Sequence, residues 1–137
     1  MGVRRRGRVI AFQTLFSWDS NRTKLEELLR FEWLEQDSNE KNQQAIDFAR
    51  LIASGTIESI DIVDDTIKNN LVNWEFNRLA RVDLAILRIS VYCMLFRSEI
   101  PPKVTIDEAV DIAKDYGSDE SYKFVNGVLD SIRKKNG

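Results

Sequence analysis

Apolar residues along this chain recur every three or four positions, and nowhere does the sequence alternate with the period of two that marks a half-buried strand. Val9, Phe12 and Phe16, together with Ala11, Leu15 and Trp18, outline a first amphipathic helix that Asp19-Ser20-Asn21 is expected to break. Thr23-Lys24-Leu25-Glu26 fits a capping box, in which the threonine oxygen and the glutamate each satisfy an orphan amide, opening a second helix to about Glu35. After a polar loop over 36–43, the positions Ile46, Ala49, Ile52 or Ala53, Thr56 or Ile57, Ile60, Val63, Ile67 and Leu71 predict one long helix. Gly55 within it costs about 1 kcal/mol relative to alanine, which points to a helix crossing too close for a side chain.

Asn73 to Asn77 interrupts the pattern, and Arg78 to Val82 reads as a short turn. Asp83 is then the expected N-cap of Leu84–Phe96, which is apolar almost all round and so predicts the central buried helix. Pro101-Pro102 predicts an extended connector, and Thr105-Ile106-Asp107-Glu108 a second capping box, with Gly117 ending that helix. A last helix from about Ser118 is expected to bury Phe124 or Val125, Val128, Leu129 and Ile132, ahead of the exposed tail Arg133-Lys134-Lys135. Gly127 inside it predicts that a neighbouring helix packs on its backbone. The pattern is all-α.

Composition narrows the function. At 137 residues with 43% hydrophobic and 31% charged positions, the chain is expected to fold as one domain over 1–137. No apolar run nears the roughly 20 residues a membrane helix needs, and no signal-peptide core is present, so a cytoplasmic protein without a membrane role is expected. The single cysteine, Cys93, excludes a disulfide within the chain and reads as a buried inert thiol. Histidine is absent, which removes the usual general base and the commonest metal ligand and leaves open only carboxylate-based catalysis or a carboxylate metal site; no enzyme activity, metal or cofactor is expected. Asp61, Asp64 and Asp65 read as a solvated helix face.

The net charge of −2 hides an asymmetry. Residues 1–22 hold five basic and one acidic group, residues 23–77 five and twelve, and residues 78–137 ten and nine. Any contact with a nucleic acid must therefore be local. Arg4-Arg5-Arg6-Gly7-Arg8 places arginines at a helix start, against the macrodipole, where helix stability does not explain them. Arginine donates paired hydrogen bonds to phosphate and stacks on bases, so this head is a candidate for a few nucleotides of backbone. Phe16, Tyr122 and Phe124 are candidate stacking platforms, although periodicity alone does not separate a platform from a core position.

Arg81-Val82-Asp83-Leu84-Ala85-Ile86-Leu87-Arg88 resembles the segment of the NusB family of transcription antitermination factors in which an acidic residue precedes an Ala-Ile-Leu-Arg run. Ile106-Asp107-Glu108-Ala109-Val110, Ala113-Lys114-Asp115-Tyr116-Gly117 and Lys123-Phe124-Val125-Asn126-Gly127-Val128-Leu129-Asp130 are similar to that family's most recognisable stretch. The arginine head and Phe16-Ser17-Trp18 match its N-terminal helix, so the likeness spans nearly the whole chain, residues 20–75 being generic. The Phe-Val-Asn-Gly-Val-Leu element also occurs in NusB-like domains attached to RNA methyltransferases; the arginine head, and an end at Gly137 that leaves no room for a catalytic domain, favour the free-standing factor.

The resemblance implies a single compact domain of about seven helices in two packed sub-bundles. It implies binding of single-stranded boxA RNA in nascent ribosomal RNA transcripts, with ribosomal protein NusE as partner, inside the RNA polymerase antitermination complex. Position by position, it makes Arg4, Arg5, Arg6, Arg8, Lys123 and Phe124 the RNA contacts, and the expectation is that head and Phe124 form one surface. Phe16, Asp83 and Glu120 match the partner-facing side; Phe16 stands where the family often has tyrosine, so a hydroxyl is lost there. The competing readings are a helical interaction protein without an RNA role and an accessory domain of an RNA-modifying system.

Overall fold

A computed structural model describes residues 2–21, 25–31 and 40–136. Among them seven α-helices and one 3-10 turn follow in order: α1 (Val3–Asn21), α2 (Leu25–Leu28), α3 (Glu40–Glu58), α4 (Ile60–Lys68), the 3-10 turn Phe76–Arg78, α5 (Arg81–Phe96), α6 (Pro102–Tyr116) and α7 (Ser121–Asn136). The expected central helix is α5, in which every residue from Asp83 to Cys93 is buried. It packs against α1, α3, α4, α6 and α7, while α1 leans chiefly on α3 and α6 chiefly on α7. Two sub-bundles thus share α5 and one continuous hydrophobic core. No described helix is long and apolar enough to cross a membrane.

Several boundaries differ from the sequence reading, each for a tertiary reason. α1 runs through Asp19-Ser20-Asn21 because Asp19 accepts a 3.1 Å hydrogen bond from buried Arg88, which holds the last turn in place. Arg88 also forks onto Asp64, its Nε and Nη2 donating at 2.9 and 3.0 Å, so one guanidinium joins α1, α4 and α5. Asp64 is therefore an ion-pair partner rather than part of a solvated face. Burial alone would lower the Arg88 pKa, but the bonds and charges of Asp64 and Asp19 outweigh it and raise it.

The described part of the second helix is the single turn α2, which ends at Leu28; positions 32–35 of its expected range lie outside the described residues. Phe31 follows at φ 55 with its ring buried, a left-handed conformation that stops helix growth. Arg50 holds this corner by donating to the Leu29 carbonyl at 3.2 Å and lying 5.3 Å over the Phe31 ring. Thr23 and Lys24 of the first capping box, and 36–39 of the expected loop, lie outside the described residues; the rest of that loop, 40–43, already belongs to α3.

The predicted long helix is two, α3 and α4, parted at Ser59. Ser59 N–H is shared between the carbonyls of Gly55 and Thr56, a tightening of the ladder, while Ser54 and Thr56 hydroxyls donate back to Arg50 and Ile52. Gly55 is the close crossing expected of it: a Cβ there would run into the ring and hydroxyl of Tyr92 on α5.

Three expected helix starts are also corrected, two of them expected caps. Ala80, not Asp83, caps α5, and Asp83 sits inside its first turn. Pro101 caps α6 and Pro102 occupies its first position, where a missing N–H costs nothing, so Thr105 lies buried inside the helix and forms no capping box. α7 begins at Ser121, whose hydroxyl accepts the Ser118 N–H at 2.9 Å. Gly117 does end α6, in extended backbone (φ −94°, ψ −172°); its need for glycine is spatial, since a Cβ would collide with the Ser121 side chain.

Candidate nucleic-acid interface

The arginine head is ordered by what lies beneath it. Gly7 lets α1 press on α3, because a Cβ there would stand 2.7 Å from Phe48 Cδ2. Arg4 and Arg8, one turn apart, consequently lie over the same Phe48 ring at 4.6 and 5.2 Å. Arg8 is buried, with Glu108 at 3.9 Å, and desolvation lowers its pKa. Arginine nevertheless stays charged at any ordinary pH. Arg5 reaches α6, where its Nε donates to Glu108 at 2.7 Å and its Nη2 to Asp111; the Glu108 bond is the largest cause of its raised pKa.

The head thus divides into anchored and outward arginines. Arg5 and Arg8 have carboxylates of α6 as their counter-charge, which supplies for Arg5 a structural reason that the helix dipole alone denies. Arg4 and Arg6 are exposed, and among the described residues neither forms an ion pair; Arg6 donates only to Asn42 at 3.3 Å. A phosphate would find these two guanidiniums uncompensated.

The second cluster lies where α6 gives way to α7. Lys123 is exposed, with Glu120 at 3.7 Å, and Phe124 is half-buried, its ring 5.2 Å from that of Trp74. Tyr122 carries Lys114 at 5.2 Å on its ring and Lys123 at 5.9 Å. α6 links the clusters, since Arg5 is held at Asp111 and Lys114, one turn further on, leads through Tyr122 to Lys123. Sequence reasoning missed Trp74, which is 58% exposed in a polar connector. Its signal was its residue type: a tryptophan with no helical register around it.

Gly127 contradicts the expectation of helix packing. Nothing lies within 4 Å of where its Cβ would stand, so the position is open.

The residues assigned to the partner side lie next to this cluster. Phe16, 37% exposed, forms with Phe12, Val82 and Tyr116 an apolar groove of about 240 Å³. Asp83, the neighbour of Val82, lines a second groove of about 260 Å³ together with Glu120, Trp74 and Phe124. Asp83 Oδ1 is buried without a hydrogen-bond partner, an acceptor awaiting a donor. Phe124 and the acids therefore border a single groove. Among the described residues no set of three or more potential ligands could hold a metal ion.

Fold and surface together define an all-helical binding protein with a basic head and adjoining aromatic and acidic grooves. The chain belongs to the NusB family, whose family model matches residues 5–134. It is 49% identical over 132 residues to the transcription antitermination protein NusB of Treponema denticola, covering 96% of each chain. It superposes on NusB of Thermotoga maritima with a TM-score of 0.85 at 43% identity, covering 96% of this chain and 91% of that one. A solved complex of the antitermination factors NusB and NusE with double-stranded RNA is similar at a TM-score of 0.80 and 26% identity, covering 97% of both chains.

Proposed function

We propose that this chain is a transcription antitermination factor that binds boxA-type single-stranded RNA of nascent ribosomal RNA transcripts together with ribosomal protein NusE. Its work is binding within the RNA polymerase antitermination complex, not catalysis, and a cytoplasmic location goes with that role. The whole of 1–137 acts as one RNA-binding domain. The antitermination proteins it resembles over nearly their full length, and the relative solved with NusE and RNA, support the reading.

The observation that carries it is the pair Arg4 and Arg6, exposed at a helix N-terminus without a carboxylate partner among the described residues. There they cost stability unless an anion covers them. In this reading Arg4 and Arg6 make the principal phosphate contacts, Arg5 and Arg8 set the edge from which they reach, and Lys123 and Phe124 take a phosphate and a base. Phe16, Asp83 and Glu120 face NusE, with Asp83 accepting from a donor on the partner.

The test is a titration of labelled boxA-type RNA at several salt concentrations, against the chain and its Arg4→Ala/Arg6→Ala variant. The variant is expected to bind more weakly and to flatten the log–log salt slope by about 0.7 per lost contact. RNA bound equally well by both, with one slope, would leave a helical interaction protein with no RNA role for its head.

A further inference from the structure

Gly127 stands in the middle of α7, where glycine costs about 1 kcal/mol relative to alanine. Neither usual reason for such a glycine applies. Its φ is not positive, and no side chain or backbone comes within 4 Å of its Cβ position. A helix glycine that meets nothing inside the protein leaves room for something outside to approach the backbone.

What surrounds it indicates the visitor's chemistry. Gly127 floors a groove of about 280 Å³ whose one wall is α7 and whose other is the connector after α4. The connector turns at Asn73, which adopts φ 64, a left-handed conformation that asparagine tolerates. That turn sets Val72 and Trp74, 74% and 58% exposed, along the groove, with the indole against Phe124 at 59° between ring planes. No acidic residue lines it.

Cations mark both ends. Lys123, Gly127, Ser131 and Lys135 follow one another at four-residue spacing, each about 40° further round α7 than the last, and the first three line the groove. Lys123 lines the groove at the Phe124 end, and Lys135 lies beyond its lining, one turn past Ser131, its Nζ donating to the Asn69 carbonyl at 3.4 Å next to the groove residue Asn70. At a rise of 1.5 Å per residue the two lysines stand about 18 Å apart along the helix. An acidic peptide would match the lysines but not the flat aromatic wall. A single-stranded nucleic acid supplies phosphates for both ends and bases for the wall.

We propose that the α7 groove from Lys123 to Lys135 carries a stretch of single-stranded RNA, with Trp74 as stacking wall, Gly127 as open floor and Lys135 as the far phosphate contact. The proposal rests on the RNA-binding reading above and extends its track beyond Phe124, to residues that reading does not use.

The experiment uses the full chain with Trp18→Phe and Trp33→Phe, leaving Trp74 as sole tryptophan. A boxA-type RNA long enough to pass Phe124 is titrated while Trp74 emission and the anisotropy of labelled RNA are followed in parallel. Trp74 is expected to be quenched with the midpoint that anisotropy gives. Gly127→Leu, which favours the helix and so does not threaten folding, is expected to fill the floor and weaken binding about tenfold, the scale of one lost base stack. Lys135→Ala is expected to flatten the salt slope by about 0.7. Tight RNA binding with Trp74 emission unchanged and Gly127→Leu indistinguishable from the parent would overturn the proposal while leaving the RNA-binding function standing. Gly127→Leu weakening NusE and not RNA would assign the groove to a protein instead. Absence of RNA binding at any salt would remove both the function and this track.

Discussion

Replacing Arg88 is the sharpest test of how the sub-bundles are held together. Its side chain is 5% exposed, and its three hydrogen bonds to Asp64 and Asp19, at 2.9 to 3.1 Å, tie α5 to α4 and α1. Arg88→Met keeps the aliphatic stem but removes the cation, leaving two carboxylates, each 18% exposed, without their shared donor. Breaking a buried pair from one side costs about 3–5 kcal/mol, mostly the penalty of the charge left behind. That is a large part of the roughly 5–15 kcal/mol by which a domain is stable. Urea unfolding followed by far-UV circular dichroism should show the midpoint falling with an unchanged slope. Adding Asp64→Asn and Asp19→Asn should recover most of the loss, because the stranded charges go with the cation. A cost under about 1 kcal/mol for Arg88→Met, or no recovery in the triple variant, would refute the reasoning.

Burial pushes the Cys93 thiol up from near 9 to about 11, so between those values the folded chain keeps a proton that the unfolded chain has lost. Stability should therefore fall as pH rises from 9 to 11, by about 2–3 kcal/mol more than in Cys93→Ala, and superimposable pH profiles would contradict the burial. Gly55→Ala should cost about 1–3 kcal/mol by displacing Tyr92, a loss largely absent in a Tyr92→Leu background; thermal unfolding of the four proteins decides it. Gly127→Ala should raise the denaturation midpoint by up to about 1 kcal/mol of stability, since its Cβ meets nothing. Loosening Arg5 with Asp111→Asn should tighten RNA binding and steepen its salt slope, measured by anisotropy, at little cost in stability because the two side chains are 40% and 43% exposed.

The central helix, the close approach at Gly55 and the buried stripe of α7 were legible because periodicity reports which face of a helix is covered. The break at Ser59 was not, since the apolar register runs on from Ile57 to Ile60 and only the shared Ser59 hydrogen bond marks it. Nor was the division of the arginine head. Arg5 and Glu108 meet across 103 positions, and nothing local distinguishes Arg5 from Arg6. Gly127 misled for a related reason: a helix glycine announces close approach without saying whether the visitor belongs to the fold. Asp83 and Thr105 looked like caps by their type and their place before apolar runs, but Ala80 and Pro101 begin those helices earlier and leave both side chains buried inside.

RNA and NusE are expected to meet on adjoining grooves that share Trp74 and Phe124. The affinity of the chain for boxA-type RNA, followed by anisotropy at fixed salt with NusE absent and with NusE saturating, decides this. Neighbouring ligands should be coupled, so NusE is predicted to tighten RNA binding about fivefold or more, and RNA to tighten NusE by the same factor. Equal RNA affinity in the two titrations, with NusE shown to be bound throughout, would contradict it.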